Sequence, residues 1–435
     1  IRGDYDARYL ELPEELLIMT MKQHQRYFPV FGKDGKILPH FITISNMKSD
    51  SGDEIKRGNE RVLKARLEDA RFFFDEDRKK KLEDFVEPLK GVVFQKKLGT
   101  VFEKAQRIEA LAGVLAEKVC PEEVEKAKRA ARLCKADLVT QMVYEFPELQ
   151  GVMGGYYARY SGEEPDVAQA IQEHYSPAFA GDPPPESPVG AVVALSDKLD
   201  TILGCIGVGL IPSGSEDPYG LRRHSLGIIQ IVLEKQWQVS LHDLIGFGIE
   251  QLKPKIQSEP EKIRSQVLDL FSQRYESLLK AEEYSYDVID AVLSAKGNVD
   301  SLVDVKRKAI ALSELKKQPH FEPLAIAFRR VVSILNEEAE GEVRPQLLKE
   351  TAEKKLFEEY QRLVGPVEDA IRNKEFARAL ERIVEIKSAV DDFFDHVMVM
   401  VEDESLRKNR LRLLYQISLL FSGLADFSKI VLKKS

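Results

Sequence analysis

Cysteine, tryptophan and long apolar runs are scarce in this chain of 435 residues, which has three cysteines and one tryptophan. No two of the cysteines, Cys120, Cys134 and Cys205, have the C-x-x-C spacing of a zinc ribbon, and all three have apolar neighbours. That usage is typical of a reducing compartment and argues against a disulfide framework. The longest apolar runs, such as residues 189–195, are far too short to cross a bilayer. We therefore expect a cytoplasmic protein with no membrane partner.

Motifs for nucleotide binding and hydrolysis are also missing. The chain has no Walker loop, no G-x-G-x-x-G, no G-x-S-x-G and no H-E-x-x-H. Its cysteines have no evident catalytic partner, and nothing indicates adenylate formation. We therefore expect no catalytic residue, no metal and no cofactor within this chain.

The net charge of −8 argues weakly against a nucleic-acid partner, and we expect no binding to DNA. The charge is unevenly distributed, because residues 405–435 contain seven Lys and Arg but a single acid, Asp426. Counterion release on phosphate binding depends on the nearby charge and not on the total. The basic C-terminal region therefore leaves RNA as a candidate partner.

The pattern of apolar residues predicts a mainly α, multidomain protein with a small β-containing start. Short β-prone runs at residues 16–21, 26–31 and 37–45 predict strands, and Gly32 to Gly35 predicts a hairpin turn between the last two. From about Glu54 the period becomes helical, with Leu63, Leu67, Ala70 and Phe74 on one face. Helices are expected over residues 99–237, in a connecting module at 240–320, and again after Pro319 and Pro323.

Two residues in the middle of the chain suggest a former metal site. His174, in Glu-His-Tyr, and Asp197, in Asp-Lys-Leu-Asp, resemble two ligands of an HD-type phosphohydrolase. The adjacent His-Asp pair that such a site needs is expected near Leu133, where the chain has Cys134-Lys135 instead. A catalytic cation needs several converging ligands, so the metal chemistry is expected to be lost. The plainer interpretation is a core histidine and an aspartate that caps a helix or pairs with Lys198.

Arg222 and Arg223 follow Asp217-Pro218, which predicts a helix over residues 221–233 with Asp217 as its cap and proline at the first helical position. The helix dipole and free N–H groups would favour a phosphate there, beside both arginines. Alternatively, one arginine pairs with Glu216 or Asp217 and the other is solvated.

A second basic surface is expected on the helix after Glu54. Arg57, Arg61, Lys64 and Arg71 share a face, and we predict RNA contact at Arg61 and Lys64. The alternative is a solvated face whose charges pair with Glu60, Glu68 and Asp69, each pair contributing a few tenths of a kcal/mol.

The C-terminal helix gives a third candidate surface. With its leucines turned inward, Lys408, Arg412 and Tyr415 fall on the opposite face, and a basic pair beside an aromatic ring suits single-stranded RNA. A solvated face with one exposed tyrosine is the alternative. Arg410 lies nearer the core, where we expect an ion pair with Glu402 or Asp403.

In order along the chain, several segments resemble the β subunit of the bacterial two-subunit glycyl-tRNA synthetase. They are LPEE at 12–15, TMKQHQRYF at 20–28, GNERVLKARL at 58–67, FQKKLG at 94–99, EFPELQG at 145–151, EHY at 173–175 and DPYGLRR at 217–223. FFDHVMVM at 393–400 with NRL at 409–411 resembles the anticodon-binding domain shared with arginyl-tRNA synthetase. The family's subunit is longer at its N-terminus, so this chain is expected to be its C-terminal part.

The resemblance implies four domains. Residues 1–90 would be the α/β remainder of a B3/B4-like domain, 91–240 an HD-like helical domain, 241–320 a helical linker and 321–435 a DALR-like helical bundle that binds the anticodon. It also implies that the α subunit holds the active site and uses ATP and Mg²⁺, while the β subunit binds tRNA(Gly) within an α2β2 assembly. This chain would then be a non-catalytic part of glycine–tRNA ligase.

Two other functions stay open at this point. A metal-dependent HD-type nucleotide phosphohydrolase would require His174 as a metal ligand, whereas in a tRNA-binding domain the loss of His174 would at most reduce stability. A helical scaffold that binds only protein would show negligible tRNA affinity with no response to salt.

Overall fold

The computed structural model describes residues 1–46, 52–179, 181–295, 298–335 and 340–431. It divides into two compact units: unit 1 comprises residues 1–231 and 244–263, and unit 2 comprises residues 232–243 and 264–435. The mainly α fold predicted from the sequence is confirmed. The finer division into four domains stays a prediction.

Unit 1 begins with a small antiparallel sheet in the order β1-β3-β2, formed by Arg2–Asp4 (β1), Ile37–Ile42 (β3) and Phe28–Phe31 (β2). The predicted hairpin is present between β2 and β3. Gly35 has a φ of +77°, and its N–H donates to the carbonyl of Gly32 over 3.1 Å. Glycine adopts that φ without steric cost, which is why the turn forms there.

The strand predicted at residues 16–21 is wrong, because this segment is helical. Helix α1 spans Glu14–Met19 and continues as a π-helical turn over Thr20–His24. Pro13 precedes two acidic residues in the first turn, and both features favour a helix start. Leu16, Leu17 and Met21 are buried. The β-prone composition was therefore overridden by the start signal and by burial of one side of the helix.

The long helix α2 spans Gly52–Asp77 and buries the predicted stripe of Leu63, Leu67, Ala70 and Phe74. Its last residue, Asp77, is buried. The Asp77 carboxylate accepts hydrogen bonds from the N–H groups of Gln141 and Met142, both over 2.9 Å, and from the Tyr157 hydroxyl over 3.0 Å. One carboxylate thus connects the end of α2 to the helices that follow.

The rest of unit 1 is helical apart from a two-stranded ribbon. Its elements are β4 (Val93–Gln95), β5 (Gly99–Thr100), α3 (Val101–Val119), α4 (Val124–Leu133), α5 (Gln141–Glu145), α6 (Val152–Tyr160), α7 (Pro165–Glu173) and α8 (Pro188–Gly207). Every residue of α8 except Pro188 is buried, and α3, α4 and α7 pack around it. Helix α8 is therefore the centre of the unit 1 core.

Three helices contain the divisions between the units, α9 (Leu221–Lys235), α10 (Leu241–Leu252) and α11 (Pro260–Ala281). Unit 2 continues with α12 (Tyr286–Leu293), α13 (Leu302–Lys316), α14 (Phe321–Ser333), α15 (Thr351–Arg372), α16 (Phe376–Val384), α17 (Lys387–His396) and α18 (Glu404–Ser422). The predicted inner face of the C-terminal helix is buried, at Leu406, Leu413, Ile417, Leu420 and Leu424.

Within the described ranges, none of the helices has the length and apolar character needed to cross a membrane.

Candidate functional site

Helices α4, α7 and α8 bring the two predicted vestigial ligands together around a lysine. His174 ends α7, Asp197 lies in the middle of α8, and Lys135 follows α4. The Lys135 Nζ lies 2.9 Å from Nε2 of His174 and 2.7 Å from Oδ2 of Asp197. All three side chains are buried. An ammonium group therefore stands between the two side chains that resemble metal ligands.

The surroundings of His174 define its proton and its charge. Its Nδ1 lies 2.6 Å from the carbonyl oxygen of Ile171, which only accepts, so Nδ1 carries the hydrogen and Nε2 accepts from Lys135. Burial and the adjacent Lys135 ammonium hold the pKa of His174 well below its usual value. The imidazole is thus neutral, as an acceptor for a cation must be. The Tyr175 ring, with its centroid 3.8 Å from the same Nζ, adds a π face to the cation's surroundings.

Asp197 supplies the negative charge of the cluster. Burial alone would raise the pKa of this carboxyl, but the ammonium groups of Lys104 and Lys135 outweigh burial and hold it well below its usual range. Lys104 Nζ lies 2.8 Å from Asp197 Oδ1 and forms an ion pair with it, but the angles at this contact are not those of a hydrogen bond. Asp197 is therefore a carboxylate between two ammonium groups.

A second buried carboxylate extends the cluster along α8. The Asp200 carboxylate accepts a hydrogen bond from Lys104 Nζ over 3.1 Å. It also accepts two from the Arg107 guanidinium, from Nε to Oδ1 over 2.6 Å and from Nη2 to Oδ2 over 3.1 Å. Lys104 also donates to the Thr201 hydroxyl over 2.7 Å. Sequence reasoning missed this part of the cluster. The available signal was the pairing of Lys104 and Arg107, three residues apart on α3, with two similarly spaced acids on α8.

This arrangement does not fit a metal ion. A divalent cation between His174 and Asp197 would lie beside the Lys135 and Lys104 ammonium groups and would be repelled by both. Across the described ranges, no three His, Cys, Asp or Glu side chains are grouped so that they could hold a metal. The Lys135 ammonium takes the position that a metal would need. The phosphohydrolase alternative is therefore not favoured.

Lys198, which was one predicted partner of Asp197, points elsewhere. Its Nζ donates to the carbonyl oxygens of Tyr175 over 3.1 Å and Ser176 over 2.9 Å. Burial lowers the pKa of Lys198 to about 8. This buried amine holds the backbone at the start of the loop that connects α7 to α8.

The helix predicted over residues 221–233 begins at Leu221 as expected and has Asp217 as its cap, but Pro218 is not its first helical residue. The Asp217 carboxylate accepts from the N–H groups of Leu221 over 2.8 Å and Arg222 over 2.9 Å. Gly220, with a φ of +64°, interrupts the turn after Pro218. Because Asp217 already occupies the anion position at this helix end, these N–H groups are not free for a phosphate as predicted.

The side chains of Arg222 and Arg223 remain available. Arg223 is exposed and Arg222 is half-buried. Neither has a carboxylate within ion-pair distance among the described residues, so the predicted pairing with Glu216 or Asp217 is wrong.

The basic stripe of α2 is partly neutralised. Lys64 pairs with Glu68 at 3.8 Å, one turn along the helix, and Arg71 pairs with Glu11 at 3.1 Å. Arg61 is exposed and has no ion pair among the described residues. Arg57, one turn earlier, is likewise exposed with no ion pair among the described residues, so the face predicted to contact RNA retains its free charge at Arg57 and Arg61.

On α18 the predicted face carries all three candidate residues, but another segment of the chain runs along it. Arg412 Nε donates to the carbonyl of Glu340 over 3.3 Å, and Lys408 pairs with Glu404. Gln416, one residue beyond Tyr415, donates to the carbonyl of Gly341 over 3.2 Å. Lys408, Arg412 and Tyr415 are all half-buried.

The ion pair predicted for Arg410 exists with a different partner. Arg410 is buried and pairs with Glu353 of α15, which is buried as well, and it donates to the carbonyl of Met398 over 2.7 Å. The predicted partner Asp403 instead caps α18 by accepting from the N–H of Leu406. A bond across 57 residues was not visible in the local sequence.

Comparisons with known proteins now identify the family. A model described as glycyl-tRNA synthetase beta subunit matches residues 1–294. The chain belongs to this family. A second model, the DALR anticodon binding domain, matches residues 324–425.

Curated relatives agree with this assignment. Proteins named glycine–tRNA ligase beta subunit from Geotalea daltonii and Trichlorobacter lovleyi are each 47% identical over 430 residues, and one from Geotalea uraniireducens is 48% identical over 431. Each alignment covers 99% of this chain and 62% of the relative. The chain thus spans less than two thirds of the length of these beta subunits.

One of the segments that resemble the family, EFPELQG at residues 145–151, has a structural role in this chain. Its last residue, Gly151, has a φ of +81° and precedes α6. The buried carboxylate of Asp137 accepts from the N–H groups of Gly151 over 2.6 Å and Gly154 over 3.0 Å, and so caps that helix. A Cβ at position 154 would lie 3.0 Å from the same carboxylate. Glycine at 154 therefore allows the close approach of Asp137.

Proposed function

We propose that this chain is a tRNA-binding, non-catalytic part of the β subunit of a glycine–tRNA ligase. The observation that carries the proposal is the match of an anticodon-binding domain to residues 324–425 in a chain whose first 294 residues match the glycyl-tRNA synthetase beta subunit. The buried Lys135 between His174 and Asp197 agrees with a domain that binds RNA and performs no metal chemistry.

The proposed partners are tRNA(Gly) and a glycyl-tRNA synthetase α subunit, in an α2β2 complex in the cytoplasm. The α subunit would bind ATP, Mg²⁺ and glycine, and this chain would place the 3′ end of the tRNA in that active site. Its contribution to the rate would be positioning of the RNA, which turns an encounter of two molecules into a step within one complex.

The proposed RNA contacts are Arg222 and Arg223 in unit 1, Arg61 and Lys64 on α2, and Lys408, Arg412 and Tyr415 on α18. Arg61 and Arg223 are exposed and carry no ion pair among the described residues. Both therefore offer a free cation to phosphate or to a base.

The test is tRNA binding by the 435-residue chain, measured with tRNA(Gly) and with the same tRNA carrying a swapped anticodon over a salt series. We expect tighter binding of tRNA(Gly) and an affinity that falls steeply with salt, since each phosphate contact contributes about 0.7–0.9 to the slope of log K against log salt. Arg223→Ala and Arg61→Ala should each reduce that slope by about one contact.

Two results would count against the proposal. Equal affinity for both tRNAs at every salt concentration would overturn anticodon recognition. Negligible and salt-insensitive affinity would favour a scaffold that binds only protein. Stoichiometric Mn, Fe or Zn bound through His174 in the purified chain, lost in His174→Ala, would instead restore the phosphohydrolase.

A further inference from the structure

One aromatic side chain in a loop of unit 1 is largely exposed to solvent. Phe179 is 65% exposed in the loop between α7 and α8. Along the described sequence the nearest other exposed large apolar side chains are Tyr160 and Ile211, which are 50% and 49% exposed. A protein-docking surface needs a contiguous apolar patch of several hundred Å², and a single ring does not provide one.

The neighbour of Phe179 is a cation. The guanidinium carbon of Arg223 lies 5.6 Å from the centre of the Phe179 ring, within the range of a cation–π contact. Arg223 is itself exposed and has no carboxylate partner among the described residues. The ring and the guanidinium plane thus form an open pair at the protein surface.

Hydrogen bonds hold the backbone that carries Phe179, and a glycine makes room for Arg223. The Asp182 carboxylate accepts from the N–H groups of Ala178 over 3.1 Å and Phe179 over 2.8 Å, which fixes the backbone of the loop. Lys198 holds the preceding carbonyls of Tyr175 and Ser176. Next to Arg223, the left-handed Gly220 leaves room for its side chain, because a Cβ there would lie 2.9 Å from Nη2.

We propose that Phe179 and Arg223 form a stacking platform for an unpaired nucleotide of the bound tRNA. This inference rests on the proposed function and adds to it the class of ligand, a single-stranded base together with its phosphate. Aromatic rings and guanidinium planes both stack on unpaired bases, and the guanidinium also reaches a phosphate oxygen. Paired bases in an A-form helix keep their faces covered and would not reach this platform.

The main measurement is tRNA affinity of the 435-residue chain and of four variants. We expect Phe179→Ala to weaken binding roughly 5- to 150-fold, which is the contribution of stacking on one base. Phe179→Tyr keeps an aromatic ring and should retain the affinity. Arg223→Lys should lose part of the affinity because the charge remains and the plane is lost. Tyr144→Ala is the matched control, because Tyr144 is 81% exposed in the same unit and no cation lies over its ring among the described residues. It should bind like the unaltered chain.

A spectroscopic measurement identifies the nucleotide. Transcripts carry 2-aminopurine either at the unpaired 3′ end or in the anticodon loop, and its fluorescence is quenched when it stacks. We expect quenching at one of these positions that Phe179→Ala abolishes and Tyr144→Ala preserves.

The outcomes separate this inference from the function on which it rests. If the unaltered chain binds tRNA and Phe179→Ala binds it equally well, the platform is overturned and the proposed function stands. If the unaltered chain binds no tRNA, both are overturned. Unchanged tRNA binding with weakened association of an α subunit in Phe179→Ala would make the site a protein contact, which also overturns the platform. An unchanged thermal unfolding midpoint in Phe179→Ala checks that its folding is intact.

Discussion

An ammonium group is stable in a protein interior only where its charge and its three N–H donors are all matched, and the residues around Lys135 meet that demand. Asp197 supplies the charge, His174 a neutral nitrogen acceptor and Tyr175 a π face. The sequence shows Cys134-Lys135 where an HD-type site is expected to have a His-Asp pair. The position of the lysine Nζ was not visible in the sequence, because its partners lie 39 and 62 residues further along the chain.

At this residue, we predict a large effect of Lys135→Met. The change keeps the side-chain length but leaves buried Asp197 without one of its two cations, and breaking a buried ion pair from one side typically costs 3–5 kcal/mol. The free energy of unfolding from urea titration should fall by about that amount. Lys253→Met is the control, because Lys253 and Glu250 form an exposed pair at 3.4 Å and should contribute less than about 1 kcal/mol. A loss below 1 kcal/mol for Lys135→Met would contradict this account.

The same site predicts the response to chelators. Since the Lys135 ammonium takes the place of a cation, treatment with EDTA should leave the thermal unfolding midpoint of the unaltered chain unchanged. Millimolar Mn²⁺ or Zn²⁺ should not raise it. A midpoint that falls with EDTA and returns with one of these metals would show that His174 and Asp197 still hold a metal.

We predict that buried Asp137 makes the free energy of unfolding fall as pH rises, which is the opposite of the trend for an acid whose pKa is lowered on folding. Burial raises the pKa of Asp137 from 3.8 to about 6. An acid whose folded pKa is raised contributes stability at low pH, and this contribution is lost as pH rises through 6. Asp137→Asn cannot ionise. The difference in free energy of unfolding, Asp137→Asn minus the unaltered chain, should therefore rise by roughly 1 kcal/mol from pH 5 to pH 7.

The measurement is urea unfolding of both proteins at pH 5, 6 and 7. Glu117→Gln in α3, on the exposed side of that helix, is the control and should show no such trend. A difference between Asp137→Asn and the unaltered chain that stays constant over this range would mean that Asp137 does not titrate there.

At the scale of the element, sequence signals succeeded where the chemistry is local. The Gly32 to Gly35 turn and the buried stripe of α2 were predicted from spacing alone. Residues 16–21 were assigned to a strand because their composition is β-prone, although Pro13 and two following glutamates already indicated a helix start. Burial of Leu16 and Leu17 then decided between the two, and burial is a tertiary property.

Helix α9 provides a test at this scale. Asp217 accepts from two N–H groups at its first turn. Asp217→Ala should lower the free energy of unfolding by about 1 kcal/mol, in the usual range for an N-terminal cap. Asp217→Asn should keep most of that contribution, because the amide oxygen still accepts. Glu216→Ala, an exposed neighbour outside the cap, should change stability by less than 0.5 kcal/mol in circular-dichroism melts.

If Asp217→Ala and Glu216→Ala melt alike, the cap contributes nothing measurable. Arg222 and Arg223 would then owe their orientation to other contacts.

At the scale of the whole molecule, composition and family motifs predicted a mainly α, multidomain chain, and the fold agrees. The two compact units were not predicted, because each draws on separated segments of the sequence and the divisions fall inside α9, α10 and α11. Only contacts in three dimensions define such boundaries. The same holds for Arg410, whose partner Glu353 belongs to another helix of unit 2.

One buried ion pair in each unit allows a test of the division into units. They are Lys135–Asp197 in unit 1 and Arg410–Glu353 in unit 2. The only tryptophan of the chain, Trp237, lies in unit 2. Arg410→Met breaks the Arg410–Glu353 pair in that unit and should move the urea transition followed by Trp237 fluorescence to lower concentration. Lys135→Met acts in unit 1 and should shift the circular-dichroism transition more than the fluorescence transition. Because the two sites share no partner, their losses should add within about 0.5 kcal/mol in the double variant.

Equal shifts of both transitions by either substitution would mean that the chain unfolds as one cooperative body. The distinction between the units would then be geometric and not energetic.

Because Lys135 is part of the chain, the positive charge beside Asp197 does not depend on a binding equilibrium. A metal in such a place has a dissociation constant, so the fold around it depends on supply and competes with every other ligand in the cell. A positive charge on a covalent side chain cannot dissociate, be exchanged for a wrong ion or be extracted. The cation that balances the buried Asp197 carboxylate is therefore encoded in the sequence itself. The charge balance of this core is established by folding alone, without uptake of an ion.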